Sequence, residues 1–276
     1  MPASQPVLRD TTRRNPHRDR PRRSETRHQR GPACARRRPA LRSCLAALAR
    51  QDRPADEIVV VDNGSSDDLL AVIAAAERDQ DLPLRLLQEP RPGVSFAAHA
   101  GYDAASHQII ARCDADSIPP SSWLARIERQ LAAEDDKLVA ITGGGRFAPG
   151  PRALGRSLCG LYLGLYRLAS GLALAHPPLW GSNMAMRTSW WNRVSPRLAP
   201  LPGIHDDFEL SFELQPHEAI ALDRGSVMPV SWRAAVSPRR LLAQQRMARR
   251  LLLRRWEQEP PWERHRRRWA GRRSSL

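Results

Sequence analysis

The sequence predicts an α/β protein with a mixed, mainly parallel sheet flanked by helices. Three observations lead there. Short apolar runs of strand length, at 57–62, 84–88, 108–114 and 138–142, alternate with segments of helical period. The runs lack the polar alternation of a half-exposed strand, as expected of strands covered on both faces. Two of them end in aspartate, Asp62 and Asp114, which places carboxylates at the carboxyl edge of the sheet, where ligands of such sheets sit.

Each element has its own reason. Leu41, Cys44, Leu45 and Leu48 recur at helical spacing and predict a helix from Pro39 to about Gln51. The run E-I-V-V-V-D at 57–62 is a buried strand. Asn63-Gly64-Ser65-Ser66 is a turn, and either serine can cap a helix over 67–79. A strand at 84–88 ends before the breaker Arg91-Pro92-Gly93, and a helix follows over 95–106. The strand 108–114 leads to Pro119-Pro120, which opens a helix over 121–134. After the strand 138–142 the pattern loosens. A long apolar helix or helix pair occupies 152–175, G-S-N-M-A-M-R at 181–187 is strand-like, and 206–215 is a helix that starts with two acids. A strand at 219–222 and a basic helix over 238–257 complete the reading. There is no internal repeat.

Composition bounds the function. The chain has 276 residues and a net charge of +15, but the charge is uneven. Residues 1–50 carry +11 and residues 224–276 carry +12, while 51–223 carry −8. An acidic body with basic ends differs from a uniformly basic nucleic-acid binder. Four scattered cysteines without a C-x-x-C pair exclude a disulfide scaffold and an ordinary zinc finger, and they suit a reducing, cytoplasmic setting. No apolar h-region of a signal peptide is readable. The stretch 158–175 is short for a membrane span and is interrupted by Arg167. Three regions are expected: a basic arm at 1–38, a globular domain at 39–223, and an Arg/Trp-rich helix and tail at 224–276.

The chemistry centres on Cys113-Asp114-Ala115-Asp116-Ser117. Two carboxylates at i and i+2, just past a buried strand, can address one hard divalent cation, Mg²⁺ or Mn²⁺, and through it a diphosphate. Alone, D-x-D is also what a solvated turn with a capping aspartate looks like. Its context is an ordered set: E-I-V-V-V-D-N-G-S-S-D, R-P-G-V-S-F-A-A-H-A-G, I-I-A-R-C-D-A-D-S-I-P-P-S-S-W-L, G-S-N-M-A-M-R and H-D-D-F-E-L. In this order and spacing, over residues 39–223, the chain resembles the family 2 glycosyltransferases of GT-A fold, a Rossmann-like architecture.

The resemblance implies an inverting, metal-dependent transfer of a sugar from a nucleotide-diphosphate donor to an acceptor hydroxyl. It implies that Asp62, with Asn63 beside it, contacts the nucleotide, and that Asp114 and Asp116 hold the metal, with Asp116 the more direct ligand. Gly181 and Asn183 then lie in the loop beside the sugar. Asp207 is implied as the catalytic base, with Asp206 as runner-up; the plain alternative for this pair is helix N-terminal charge favourable to the dipole. The sugar, the nucleotide base and the acceptor are not specified. Two departures stand out. Ala98-His99 replaces the family's Arg-Asn, and the family's first strand is not found. Residues 1–38 are rich in Arg and Pro and have no period. With one Lys against 43 Arg, they read either as a stretch translated out of frame in a GC-rich gene or as a genuine basic arm. The competing functional class is a catalytically silent domain of the same fold, held at a surface by its basic ends.

The run 239–273 mixes Arg with Trp256, Trp262 and Trp269. It suits an anionic membrane surface, peripheral at the inner face, or a solvated tail. Nucleic acid is the weaker partner, because Leu241, Leu242, Leu251, Leu252 and Leu253 add an apolar component that phosphate contacts do not need.

Overall fold

The computed structural model describes residues 37–65, 69–132, 136–231 and 238–273. Strands β1 (Ile58–Asp62) and β2 (Leu84–Gln88) pair in parallel. Four more strands, β3 (Ile109–Arg112), β4 (Leu138–Ala148), β5 (Met184–Arg187) and β6 (Ala219–Ser231), form a second sheet in the order β3-β5-β4-β6. Within it β5 runs antiparallel to both β3 and β4, while β4 and β6 are parallel. The mixed sheet read from the sequence is present, but in two pieces.

Helices cover both pieces. Around the β1/β2 pair, Leu45 of α1 (Arg37–Leu48) and Val72, Ile73 and Ala76 of α2 (Leu69–Gln80) close on Ile58. Helix α3 (Val94–Ala104) covers the pair as well: a Cβ on Gly101 would stand 3.2 Å from Val61 Cγ2. On the larger sheet, α4 (Trp123–Leu131) buries Trp123, Ile127 and Leu131, one residue per turn, against Ile141, Ala185 and Met228. Each such side chain contributes about 2–3 kcal/mol. Helix α6 (Thr188–Val194) buries Trp190 and Trp191, whose indole N–H groups donate to Glu218 and Asp103. Helix α5 (Arg152–Leu174) is one helix and packs on β4.

Three expectations need correction. Strand β4 does not stop at Thr142 but runs on through Gly143-Gly144-Gly145. Glycine is required there because the loop before β5 lies on the strand. A Cβ at Gly143 would be 2.0 Å from the Asn183 amide nitrogen, and one at Gly145 would be 2.5 Å from the Trp180 ring. Strand β6 pairs along this extension after a register shift, so the boundary expected at 223/224 falls inside a strand. Lastly, residues 238–273 are not a loose tail. Helices α8 (Pro238–Gln258) and α9 (Pro261–Arg273) dock on the body, and Pro261, which looks like a terminator, is the first residue of α9. Arg255 pairs with Glu213 at 2.9 Å, and Arg264 donates to the carbonyls of Phe212 and Leu174. The expectation for 1–38 lies outside the described residues, apart from Arg37 and Arg38, which open α1.

The split in the sheet has a definite shape. Among the described residues β1 pairs with β2 alone and β3 with β5 alone. A cavity of ≈ 1130 Å³ lies where the two strands face each other, lined by Val59, Val60, Val61, Ile109, Ile110 and Ala111 from the strands and by Leu41, Cys44 and Leu48 of α1. The amino ends of the two strands lie together, since Glu57 Oε2 accepts from the Ser106 N–H at 3.0 Å and from its hydroxyl at 2.9 Å. An apolar slot between two strand edges has the requirements of one more strand, because unpaired backbone groups at buried edges are costly. The residues just before α1, Arg27-His28-Gln29-Arg30-Gly31-Pro32-Ala33-Cys34-Ala35-Arg36, supply no β-branched side chain for it. Replacing about five of them by an uncharged β-branched segment is expected to raise stability by roughly 2–3 kcal/mol, from about 2 kcal/mol per buried side chain less about 1.5 kcal/mol per ordered residue. The urea midpoint measures this, and an unchanged midpoint would mean that the slot does not take a strand.

His176, just past α5, is buried and bonded through Nδ1 to the Pro177 carbonyl. Burial pushes its pKa down to about 3, with Arg268 and Arg264 adding to the depression. Unfolded, it takes up its proton near pH 6.5. Between those values the unfolded state binds the extra proton, so stability is full above pH 6.5 and is lost as pH falls towards 3. The His176→Asn protein is expected to lose less stability than the parent between pH 6 and pH 4, as read by denaturant titrations at each pH.

Candidate active site

The site forms where three segments meet: the end of β3, the loop before β5, and the start of α7 (Asp206–Ser211). Beyond β3 the chain turns tightly, with the Ser117 N–H on the Asp114 carbonyl at 2.9 Å, and this presents Asp114 and Asp116 to the large cavity. The loop 179–183 is held from several sides. Leu179 N–H donates to Ser211 Oγ, Trp180 N–H donates to Thr142 Oγ1, and the Tyr166 hydroxyl of α5 donates to the Leu179 carbonyl at 3.1 Å. Helix α7 brings two adjacent carboxylates to its first turn, where the dipole favours them.

One dipeptide links these parts. The Gly181 N–H donates to Asp207 Oδ2 at 2.7 Å, and the Ser182 hydroxyl donates to Asp114 Oδ2 at 2.5 Å. The second oxygen of Asp207 accepts from the Phe208 N–H at 2.8 Å, so its carboxylate is oriented by two backbone donors while staying partly exposed. Asp206 turns the other way. It is 3% exposed, pairs with the Arg112 guanidinium and accepts from the Tyr102 hydroxyl at 3.1 Å. Burial raises its pKa above the ordinary carboxylate range, Arg112 opposes this, and the charge of Asp207 adds to it. Gly181 cannot carry a side chain here, since a Cβ would stand 2.8 Å from Arg112 Cζ.

The structure separates the other expected residues by role. Asp62, at the end of β1, accepts from the Ser65 N–H at 2.8 Å, and its neighbours Asn63 and Ser65 line the same cavity as Asp114 and Asp116. Asn63 braces the loop after β2: its amide donates to the carbonyls of Glu89 and Arg91 and accepts from the Gly93 N–H. Asn183 is a correction. It is 2% exposed, takes the Trp123 indole N–H on Oδ1 and donates from Nδ2 to the Gly144 carbonyl, so it ties α4 to the sheet and does not face a donor. His99 is also buried, edge-on to Trp191 at 5.0 Å. Burial lowers its pKa and favours the neutral ring. Glu213 points away from the cleft to Arg197 and Arg255.

Sequence reasoning missed Arg112, Tyr102 and Ser182. The available signal was an arginine closing the otherwise apolar strand I-I-A-R, which requires a buried partner.

The donor set fits a hard divalent ion. Among the described residues no group of three or more His, Cys, Asp or Glu side chains converges on one point. Asp114 and Asp116 are two oxygen donors, and Mg²⁺-type sites commonly use one or two carboxylates and leave the remaining positions to substrate phosphate and water.

The fold is a mixed α/β sheet with an acidic turn after β3 and a paired acidic helix start. The chain belongs to the glycosyl transferase family 2, whose model matches residues 32–191, and it has the GT-A fold. An uncharacterised glycosyltransferase of Mycobacterium tuberculosis is 36% identical over 113 residues, which is 41% of this chain and 45% of that protein. The match thus spans less than half the length of that curated relative. Two solved structures share the fold. Glucosyl-3-phosphoglycerate synthase from Mycobacterium tuberculosis, in complex with Mn²⁺ and UDP-glucose, has a TM-score of 0.56 at 20% identity and covers 79% of this chain and 75% of its own. The mannosyltransferase of Pyrobaculum calidifontis, in complex with GDP-mannose and Mn²⁺, has a TM-score of 0.55 at 21% identity, covering 84% and 70%.

Removing the Arg112 charge leaves Asp206 buried without its cation. The Arg112→Met protein is expected to lose about 3–5 kcal/mol of stability, read as a lower urea midpoint.

Proposed function

We propose that the chain transfers a sugar with inversion from a nucleotide-diphosphate donor to an acceptor hydroxyl, with Asp207 as the base. The observation that carries this is the Gly181-Ser182 dipeptide, which binds Asp207 through one residue and Asp114 through the next. It sets the acceptor side and the diphosphate side of a reaction at a fixed separation, as an in-line displacement requires.

The Asp207 carboxylate takes the proton of the acceptor hydroxyl, whose oxygen then forms the new bond to the anomeric carbon as the bond to the diphosphate breaks. The nucleoside diphosphate leaves with that electron pair. A divalent ion, Mg²⁺ or Mn²⁺, held by Asp116 and Asp114, would supply charge stabilisation for the departing diphosphate. Asp62 and Asn63 shape the nucleotide end of the cavity. The solved relatives' complexes with Mn²⁺ and a nucleotide sugar support this reading. Asp206 serves as a positioning residue, since accepting the proton there would break its pair with Arg112. The free thiols of Cys44, Cys113 and Cys159 agree with a cytoplasmic setting.

The split sheet favours the competing reading of a silent domain, because the cavity between β1 and β3 adjoins the donor end of the site. Asp207→Asn separates the two. Transfer from a nucleotide sugar in the presence of Mn²⁺ is expected to fall by about a thousandfold while donor affinity by calorimetry stays within about twofold. Asp116→Ala is expected to weaken both. Full transfer by Asp207→Asn would move the base, and no nucleotide binding by the parent protein would establish the silent domain.

A further inference from the structure

We infer that the outer face of α5, together with the adjoining end of α9, is a docking surface for an anionic lipid bilayer. Leu154, Leu158, Leu161, Leu165, Leu168 and Leu172 are between 40% and 67% exposed. They follow one another at intervals of four and three, so they form a single stripe along about 27 Å of helix. Between them the exposed positions are Arg156, near the amino end, and the small uncharged Ser157, Gly160, Gly164 and Ala169. Past Arg156 the one charged side chain of the helix is Arg167, and it turns inward to the Gly143 carbonyl at 2.7 Å.

Length and composition would let α5 cross a membrane. Its other face precludes that in the folded protein, because Gly155, Cys159, Leu163, Ser170 and Ala173 are buried against the body. A helix with one face in the core and a charge-free leucine face outside lies along an interface and does not span it. Monomeric proteins rarely leave an apolar patch of this extent in water.

The occupant follows from what adjoins the stripe. His265 of α9 bonds to the Leu172 carbonyl at 2.9 Å. Trp262 and Trp269, three residues before and four after it, share its face of the helix and are 72% and 58% exposed. Two exposed indoles thus extend the apolar surface at the end of the leucine stripe. Exposed Arg266 and Arg267 lie next to them, paired with Glu263 and Glu259. Leucine within, tryptophan at the margin and arginine beyond is the order in which these side chains partition across a membrane interface. A second copy of the chain is the other candidate, since four-three spacing also makes a coiled-coil seam. The flanking positions that usually carry paired charges in such seams hold Ser157, Gly164 and Gly171 on one side and Gly155, Tyr162 and Ala169 on the other. Helix α9 packs on α5, and the sequence 224–276 carries +12. That charge attracts an anionic surface and repels its own copy.

The inference is independent of the transfer reaction, and its test measures binding alone. The full chain is sedimented with vesicles of phosphatidylcholine and with vesicles of equal parts phosphatidylcholine and phosphatidylglycerol. The parent is expected to bind the mixed vesicles and to bind phosphatidylcholine less. Leu161→Glu with Leu165→Glu is expected to weaken binding to mixed vesicles by roughly a hundredfold, with circular dichroism and Tm unchanged. Leu161→Gln with Leu165→Gln is a milder pair that carries the test if the first pair fails to fold. Binding unaffected by either pair would overturn the proposal. So would a parent that ignores anionic vesicles and sediments as a dimer that Leu161→Glu with Leu165→Glu dissociates, since the stripe would then be a seam between copies.

Discussion

The buried pair of Arg112 and Asp206 is the interaction on which the site depends. Arg112 ends β3, Asp206 begins α7, and the Tyr102 hydroxyl of α3 bonds to both. Three elements, two of them consecutive and the third some ninety residues on, are thereby fixed at one point. A charge pair taken this far from water contributes little net stability, because desolvation offsets much of the attraction. Its effect is geometric. With Asp206 facing inward, the next residue on the first turn faces outward, so Asp207 is delivered to the cleft. With the guanidinium flat against residue 181, only glycine fits, and its N–H is free to reach Asp207. The exposed carboxylate and its donor are both consequences of the hidden pair.

The two halves of the site differ in how firmly they are held. The loop 179–183 is bonded to α5, β4 and α7 and sits close on Gly143 and Gly145. Asp62 ends a strand whose inner edge faces a cavity, and Asn63 follows it. The β1/β2 unit is attached to the larger sheet through α3, through the Glu57–Ser106 bonds, through the contact of Cys44 with Cys113 at 4.0 Å, and through the end of α1, where Gln51, Asp52 and Arg53 bond to Pro120, Ser121 and Glu128.

Much of this was legible because the elements that make the site are also those with the clearest local signals. Strand β2 matches its expected bounds and β1 starts one residue later than expected, and the acidic turn after β3 follows from an apolar run that stops at a carboxylate. The failures share one cause. Gly143, Gly144 and Gly145 look like a break when read along the chain, yet Gly143 and Gly145 are glycines because another segment, 180–183, lies on them. Asn183 sits in a motif that suggests ligand contact, and only the position of Trp123 and Gly144 reveals that its amide is consumed in the core. Asp206 and Asp207 are indistinguishable as adjacent acids until Arg112, ninety-odd residues earlier, selects one of them. Sequence periodicity carries information about what a segment does alone, and long-range partners are outside its reach.

The strong positive charge of the carboxyl-terminal region shows the same distinction. Counted along the sequence, its arginines make a basic tail. In space several of them are structural: Arg255 joins α8 to Glu213, and Arg264 and Arg268 donate to the carbonyls of Phe212 and Gln215. Guanidinium groups with fixed forks can satisfy carbonyls left open at the ends of other elements, which is why arginine rather than lysine suits these positions. The charges spent in this way are unavailable to a phosphate backbone, so the region is a weaker nucleic-acid surface than its composition suggests. Among the described residues Arg246, Arg249, Arg250, Arg254, Arg266 and Arg267 remain exposed, on the same two helices as the exposed Trp256, Trp262 and Trp269. A partner for that surface must accept apolar side chains and positive charge together, which nucleic acid does poorly and a lipid headgroup region does well.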